Sequence, residues 1–228
     1  MKTRGNLRRS LVIDDSGDAR VGAFFLMSAI LTVVMIVAYI LAPPPDVGIE
    51  EGQLAPDIVS DAYTSGSWED FRLYDHINRD WEEGQDGTWI LLLFIDTDCP
   101  HCFNSADKHS QLYSQYGENV MFVSVVVELN IPGHNSDRGE IVDFKEKNSN
   151  NDCNSGNSDC KDRPGDAHPW TYVDDLNLRA MENYDIPGTP FYLLLSPDGI
   201  VAWNPVQGDA RGEEIEQGLY NNIVAVSQ

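Results

Sequence analysis

The stretch that decides the fold is "TWILLLFIDTDCPHCFN", Thr88–Asn104. It begins with a nearly continuous apolar run of strand length, typical of a central strand covered on both faces of a sheet. Two cysteines follow at once, Cys99 and Cys102, with a proline and a histidine between them. Pro100 suits the first turn of a helix, where a missing N–H costs nothing. The stretch therefore predicts a buried strand followed by a helix that begins at the cysteine pair, with Thr97 or Asp98 as its cap.

The rest of the chain supplies further elements in an alternating order. The predicted helices are about 100–116, ending at a glycine, 139–148, 174–186 and 212–226, and the predicted strands are 58–60, 88–97, 119–129 and a hairpin over 188–204 around "PDG". Residues 68–81 are predicted to form a turn or a short helix. This order predicts an α/β fold: a central mixed sheet with helices on both faces, in which a parallel βαβ half precedes an antiparallel ββα half. The cysteine pair would then lie at the carboxyl end of the sheet, where reaction sites gather in open α/β sheets.

The charge of the chain limits its partners. The formal net charge is -22 over 228 residues, and after residue 20 there are 10 basic against 34 acidic residues. Such a surface repels nucleic-acid backbones, so we expect no nucleic-acid partner. A well-solvated acidic surface explains the composition, and steering of a basic partner stays open.

The N-terminal part of the sequence predicts a membrane anchor. Residues 21–42, "VGAFFLMSAILTVVMIVAYILA", hold no charge and would span roughly 33 Å as a helix. "LAPPP" is a poor cleavage context, which favours an uncleaved transmembrane signal anchor. Basic residues lie before the helix, so we expect residues 1–20 in the cytoplasm and the rest outside the cell membrane. Residues 43–53 are then a proline-rich linker, and 54–228 the extracytoplasmic domain.

This location affects how the other two cysteines are interpreted. Disulfides persist outside the cytoplasm, and Cys153 and Cys160 lie in a polar loop insertion over 148–166. They are predicted to form a structural disulfide, with a second redox pair as the alternative. A zinc site of all four cysteines is disfavoured, because the six-residue spacing exceeds the short hooks that zinc usually takes.

Three motifs carry a resemblance to a known family. They are "GQLAPDI" at 52–58, "CPHC" at 99–102 and "IPGTPFYLLLSPDG" at 186–199. Over residues 52–227 the chain resembles the thioredoxin superfamily, in particular its membrane-anchored extracytoplasmic thiol–disulfide oxidoreductases of the TlpA/ResA type. The resemblance implies a thioredoxin-like three-layer sandwich and a redox-active Cys99–Cys102 disulfide without another cofactor. It also implies a cis-proline, Pro190, lying against that pair.

Two features depart from the family pattern. Many members carry a buried acid six positions before the first cysteine, where this chain has Leu93. Asp96 and Asp98 lie nearby, but we expect them to point elsewhere. The dipeptide Pro100–His101 resembles the strongly oxidising members rather than the reductases, so the direction of electron flow stays open.

The chemistry assigns a role to each residue of the site. Disulfide exchange needs one thiolate to attack a sulfur and a second thiol to resolve the mixed disulfide. We expect Cys99 to be the exposed nucleophile, activated by the helix N-terminus and by His101, and Cys102 the buried resolving thiol. Backbone groups of Thr189 and Pro190 would bind a substrate chain.

The function predicted from the sequence is exchange of disulfides with cysteine-containing extracytoplasmic proteins, by an enzyme tethered to the lipid bilayer through residues 21–42. A membrane redox partner would recharge the pair. The alternatives are a copper or other metal chaperone that uses Cys99, Cys102 and a histidine, and a non-catalytic thioredoxin-like adaptor. His168 is placed in a loop at the rim of the site and His109 at the surface, and no metal ligand is assigned.

Overall fold

The computed structural model describes residues 16–40, 45–129, 131–132 and 135–224, and it describes no side chains at 16–20 and 38–40. The chain divides into two compact units, Met1–Pro44 and Pro45–Gln228. In the first unit, helix α1 covers Ser16–Ile40. Its apolar side chains, among them Phe24 and Met35, are exposed. No helix within the described residues is both long and apolar enough to cross a membrane. The predicted transmembrane helix over 21–42 is therefore not supported, and residues 41 and 42 lie outside the described residues.

The second unit is built on one sheet of seven strands. The strands are β1 Val59–Thr64, β2 Ser67–Arg72, β3 Trp89–Ile95, β4 Val120–Val127, β5 Thr171–Asp175, β6 Phe191–Leu195 and β7 Val201–Trp203. Their order across the sheet is β2-β1-β5-β4-β3-β6-β7. β3 runs parallel to β4, and β4 runs parallel to β5. β6 is antiparallel to both β3 and β7, while β1 is antiparallel to both β2 and β5. The predicted mixed sheet, with its parallel half and its antiparallel half, is confirmed.

Six further helices and several single turns surround this sheet. The helices are α2 Pro100–Tyr116, α3 Arg138–Glu146, α4 Cys153–Gly156, α5 Arg179–Asn183, α6 Pro205–Arg211 and α7 Ile215–Leu219. The single turns cover Leu73–His76, Cys160–Asp162 and Tyr220–Val224. α2 begins with a proline at its first position and ends at Gly117, as the sequence predicts.

The two faces of β3 bury alternate side chains, because successive residues of a strand point to opposite faces. Leu91 and Leu93 belong to the core shared with α2, α3 and α7. Leu92 and Phe94 belong to the core shared with α5 and the turn after β2. β3 is thus covered on both faces. The cysteine pair follows its carboxyl end, at the end of the sheet where the parallel strands finish.

Two strands differ from the expectation. Residues 67–72 form β2 rather than a turn or short helix, and they pair with β1 across a two-residue turn at Ser65 and Gly66. Both turn residues have positive φ, the geometry that suits tight hairpins. β5 was not expected, and it occupies the first two residues of the predicted helix over 174–186. That helix is shorter, since α5 covers five residues.

Candidate active site

The cysteine pair lies where β3 ends and α2 begins. Cys99 is itself the N-cap residue of α2, and no side-chain hydrogen bond caps the helix there. The predicted capping by Thr97 or Asp98 is wrong, since the Thr97 hydroxyl lies 2.9 Å from the Ser136 hydroxyl. Asp98 instead accepts a hydrogen bond from a loop far along the chain, the backbone N–H of Ser155, at 2.8 Å. The first N–H groups of α2 therefore point at the Cys99 sulfur rather than at a capping oxygen.

Both cysteines are free thiols with little exposed surface. Cys102 is 1% exposed, but Cys99 is only 4% exposed, so the expectation of an exposed Cys99 is wrong. Cys99 is covered because its sulfur lies against the Thr189 carbonyl. The Cys99 Sγ donates to the Thr189 carbonyl oxygen at 3.5 Å. The peptide bond between Thr189 and Pro190 is cis and directly precedes β6. The structure thus brings together the cysteine pair and the Thr189–Pro190 segment, which lie some ninety residues apart in the chain.

The environment of Cys99 favours its thiolate. The pKa of Cys99 is lowered to about 5, and the largest cause is a hydrogen bond from the Cys102 side chain. Burial acts in the opposite direction and raises this pKa. Thr189 and the backbone N–H groups of Cys102 and His101 also contribute to the lowering of this pKa. The pKa of Cys102 is raised well above its ordinary value, because burial disfavours its thiolate and the Cys99 sulfur takes its hydrogen bond. Cys99 therefore favours the thiolate form, whereas Cys102 favours the protonated thiol.

Pro100 and His101 are exposed on the first turn of α2. Pro100 occupies the first helical position, where a proline is favoured. His101 contributes its backbone N–H to the Cys99 sulfur. The ring of His101, which was expected to act by its charge, stands in solvent.

Asp96, which was expected to point away from the thiols, directs its carboxylate at backbone N–H groups. Asp96 is fully buried, and its carboxylate accepts hydrogen bonds from the backbone N–H groups of Asp98 and Leu129, each at 2.7 Å. Burial raises the pKa of Asp96 to about 6, and the charges of Asp98 and Cys99 add to this. Leu93 itself lies in the apolar core. The buried acid near the thiols is instead Asp96, which lies three positions before Cys99 rather than six.

Glu140, on α3, is a residue of the site region that sequence reasoning missed. It is 3% exposed, and in the described part of the chain no donor reaches its Oε1. Burial raises the pKa of Glu140 to about 8, and the charges of Asp98 and Asp96 raise it further. The sequence offered no signal, because an acid in the first turn of a helix is ordinarily a solvated residue.

The second cysteine pair lies against the first. Cys153 and Cys160 form a disulfide, and both residues are fully buried. The backbone N–H of Asn154 donates to the Thr97 carbonyl at 3.0 Å. A zinc site of four thiolates is excluded in this state, because two of the four sulfurs are bonded to each other. Within the described residues, no three His, Cys, Asp or Glu side chains converge as metal ligands.

Both predicted positions for the histidines are wrong. His109 is 1% exposed on the buried face of α2, and its Nε2 lies 3.0 Å from the Tyr192 hydroxyl. His168 is fully buried between Arg163 Nη1, at 2.7 Å, and the Tyr172 hydroxyl, at 2.5 Å. Burial lowers the pKa of His109 to about 3 and that of His168 well below its ordinary value. Both imidazoles are neutral parts of a polar network in the core, away from the rim.

Comparison with solved structures gives likenesses at low sequence identity. The thioredoxin domain of a thiol-disulfide oxidoreductase from Bacteroides vulgatus is 17% identical, with a TM-score of 0.49 over 79% of this chain and 100% of that one. A thiol:disulfide interchange protein from Bacteroides sp. is 15% identical, with a TM-score of 0.49 over 78% and 90%. The mitochondrial 2-Cys peroxiredoxin from Plasmodium falciparum is 15% identical, with a TM-score of 0.48 over 76% and 92%.

No protein-family model and no curated protein sequence matches this chain. Likenesses at this level carry no statement about activity. The function therefore has to be argued from the geometry of the site.

Proposed function

We propose that this protein is a thiol–disulfide oxidoreductase that works through Cys99 and Cys102. The observation that carries the proposal is the asymmetry of the two thiols. The pKa of Cys99 is lowered to about 5 by the hydrogen bond from Cys102, whereas burial keeps Cys102 protonated. At neutral pH a thiolate and a thiol thus stand side by side at one helix start, as stepwise disulfide exchange requires.

The exchange has two steps, each of which makes one S–S bond and breaks one. The Cys99 thiolate attacks one sulfur of a substrate disulfide, and the other substrate sulfur leaves as a thiolate. Cys102 then loses its proton and attacks the Cys99 sulfur, which releases the second substrate thiolate. The protein ends with a Cys99–Cys102 disulfide and the substrate with two thiols, and the reverse sequence oxidises a dithiol substrate.

The low pKa of Cys99 favours the oxidising direction. A stabilised thiolate is a good leaving group, and it stabilises the reduced form of the enzyme, so the disulfide form is a stronger oxidant. We therefore propose a reduction potential closer to that of disulfide isomerases, about -180 mV, than to that of thioredoxin, about -270 mV. Equilibration with glutathione buffers measures this potential directly.

Substrate binding is assigned to the Thr189–Pro190 segment. The Thr189 carbonyl lies 3.5 Å from the Cys99 sulfur, and both residues are half-buried at the edge of the site. A substrate chain beside this segment would place its sulfur next to Cys99. We propose cysteine-containing extracytoplasmic proteins as substrates and a membrane redox protein as the recharging partner.

The location outside the cytoplasm is part of the same proposal. Its structural support is the Cys153–Cys160 disulfide, a bond that persists in oxidising compartments. Tethering to the bilayer rests on the uncharged run over 21–42 and its basic flank. Retention of the full chain in membranes after alkaline carbonate extraction supports tethering, and complete release into the supernatant contradicts it.

Turnover of a disulfide substrate tests the proposed function. We expect the full chain to accelerate thiol-driven reduction of insulin or oxidative refolding of a reduced protein, and Cys99→Ser to abolish this. A variant at the exposed Asn104 on the same helix, Asn104→Ala, is the control that keeps activity. Unchanged activity in Cys99→Ser would contradict the proposal and favour a non-catalytic adaptor.

A further inference from the structure

The loop that carries the second disulfide contacts the segment directly before Cys99. The Ser155 N–H donates to Asp98 Oδ1 at 2.8 Å, and the Ser155 hydroxyl donates to the Asp98 carbonyl at 2.8 Å. The Asn154 N–H donates to the Thr97 carbonyl at 3.0 Å. Three hydrogen bonds from two consecutive loop residues therefore hold the two residues that precede the nucleophile.

This contact depends on an unusual backbone conformation. Asn154 and Ser155 both lie in the left-handed region, with φ of 57° and 55°. Such a conformation is unfavourable for residues other than glycine and persists only where the surroundings hold it. Cys153 is the residue directly before this pair, and its disulfide to Cys160 closes the loop around it. The disulfide thus fixes the conformation that turns the two N–H groups towards residues 97 and 98.

The Asp98 carboxylate stands in an acidic neighbourhood. Its charge and that of Asp96 act on Glu140 of α3, and Asp152 of the loop contributes as well. The Ser155 N–H is a donor facing this group of carboxyls, and it holds the Asp98 side chain towards the loop. A carboxylate one residue before Cys99 opposes a negative sulfur by charge repulsion if it turns towards the sulfur.

Both half-cystines are fully buried. The loop between them contacts the active-site segment through the hydrogen bonds of Asn154 and Ser155. This contact favours a positioning role for the disulfide over a second redox pair that relays electrons.

We propose that the loop Asp152–Cys160, closed by its disulfide, positions Asp98 away from the Cys99 sulfur and thereby supports the reactivity of Cys99. Ser155 is the positioning residue that makes the contact, and Cys153 and Cys160 hold it there. The inference deepens the proposed function and rests on it for its biological meaning. It concerns the ionisation of Cys99, however, which is measurable without any substrate.

The test is the pH profile of Cys99 alkylation in the full-length protein. Mild reduction opens a Cys99–Cys102 disulfide, and mass spectrometry identifies the alkylated residue and confirms that Cys153–Cys160 is intact. We expect Cys153→Ala/Cys160→Ala to raise the midpoint of the profile by about one pH unit, which is about tenfold less thiolate well below the midpoint. Ser155→Gly keeps the backbone N–H that bonds to the Asp98 carboxylate and suits the positive φ, so it should leave the midpoint unchanged.

Two controls decide between positioning and general damage to the fold. Lys161→Ala alters an exposed side chain of the same loop that pairs with Asp159, and it should leave the midpoint unchanged. In an Asp98→Asn background, loss of the disulfide should no longer shift the midpoint, because the charge that it positions is gone. The same shift in that background would overturn the proposal.

A wild-type midpoint in the folded Cys153→Ala/Cys160→Ala protein would also overturn it. If that variant does not fold, wild-type protein whose Cys153–Cys160 bond has been opened by a stronger reductant decides the question: a raised Cys99 midpoint supports positioning, and an unchanged midpoint refutes it. Failure of the proposed function has a different signature. Wild-type protein would then catalyse no disulfide exchange, whatever the midpoint of Cys99 in these variants.

Discussion

Cys99 and Cys102 lie three positions apart and differ in what surrounds each sulfur. The Cys99 sulfur receives hydrogen bonds from the Cys102 side chain and from two backbone N–H groups at the start of α2, and it lies 3.5 Å from the Thr189 carbonyl oxygen. Cys102 is enclosed by the core. The "CPHC" spacing predicted Cys99 at a helix start and a buried Cys102 three residues on. It could not predict that Cys99 is buried as well, or that a hydrogen bond from Cys102 is the largest cause that lowers the pKa of Cys99.

The first prediction at this scale concerns the ionisation of Cys99. Its alkylation by iodoacetamide should follow a titration with a midpoint near pH 5, since the pKa of Cys99 is lowered to about 5. Cys102→Ala should raise the midpoint, because the largest stabilising hydrogen bond is removed. Asn104→Ala on the exposed face of α2 should leave it in place. A midpoint near pH 8.5, the ordinary value for a cysteine, would contradict the described geometry.

The second residue-scale prediction concerns Glu140. Burial raises its pKa to about 8 in the folded state, above its ordinary value, so the folded protein binds one more proton here than the unfolded chain. Its contribution to stability is therefore full below the unfolded pKa and is lost as the pH rises through about 8. Glu140→Gln should flatten the fall of the free energy of unfolding between pH 5 and 9, measured by urea titration. Equal slopes in the two proteins would refute this assignment.

Asp96 and Glu140 show where residue-level prediction ends. Both are acids, and acidic side chains are almost never fully buried unless they are paired. Asp96 is buried because its carboxylate joins the loop after β3 to Leu129 after β4. Such a contact between two strand ends is set by the tertiary fold, so local pattern could not predict it.

At the scale of elements, β3 holds the site in place. It lies between β4 and β6 and is buried on both faces. The apolar run predicted β3 and β4 well, because strands without a solvent face leave an unbroken hydrophobic pattern. β2 and β5 were harder to predict from the sequence. β2 is an edge strand with exposed Glu69 and Asp70. β5 ends in two acids, Asp174 and Asp175, that resemble a helix start.

A core truncation in β3 tests its role. Leu92→Ala should cost about 2–5 kcal/mol of unfolding free energy, because the side chain is fully buried and leaves a cavity. Val59→Ala, at a position of β1 that is 67% exposed, should change stability by about 0.5 kcal/mol or less. Urea unfolding of the two variants measures both values. Comparable losses at both positions would contradict the central placement of β3.

At the scale of the whole molecule, α2 contacts the sheet through hydrogen bonds as well as through apolar packing. His109 and His168 join the Tyr192 and Tyr172 hydroxyls and the buried Arg163. Because a guanidinium only donates, the His168 Nε2 accepts from it, which requires a neutral ring. The sequence analysis placed His109 at the surface and His168 at the rim of the site, since isolated histidines carry no signal of burial.

This network predicts acid lability. The folded pKa of His109 is lowered to about 3 by burial, so the unfolded chain binds the proton first, near pH 6.5. The stability that the neutral histidine contributes is present above pH 6.5 and is lost as the pH falls towards 3. His109→Gln should weaken this pH dependence, measured by urea unfolding at pH 7 and pH 5, whereas His76→Ala at an exposed position should not. An unchanged dependence in His109→Gln would refute the role of this network.

The central claim is that Cys99 forms mixed disulfides and Cys102 resolves them. The measurement that tests it most directly is mass spectrometry of the Cys102→Ala protein after incubation with a peptide that contains one disulfide. We predict a stable adduct of one peptide, joined through Cys99, while the wild-type protein releases the peptide and gains a Cys99–Cys102 disulfide. Absence of any adduct at Cys99, or an equal adduct in Cys99→Ala, would contradict the claim.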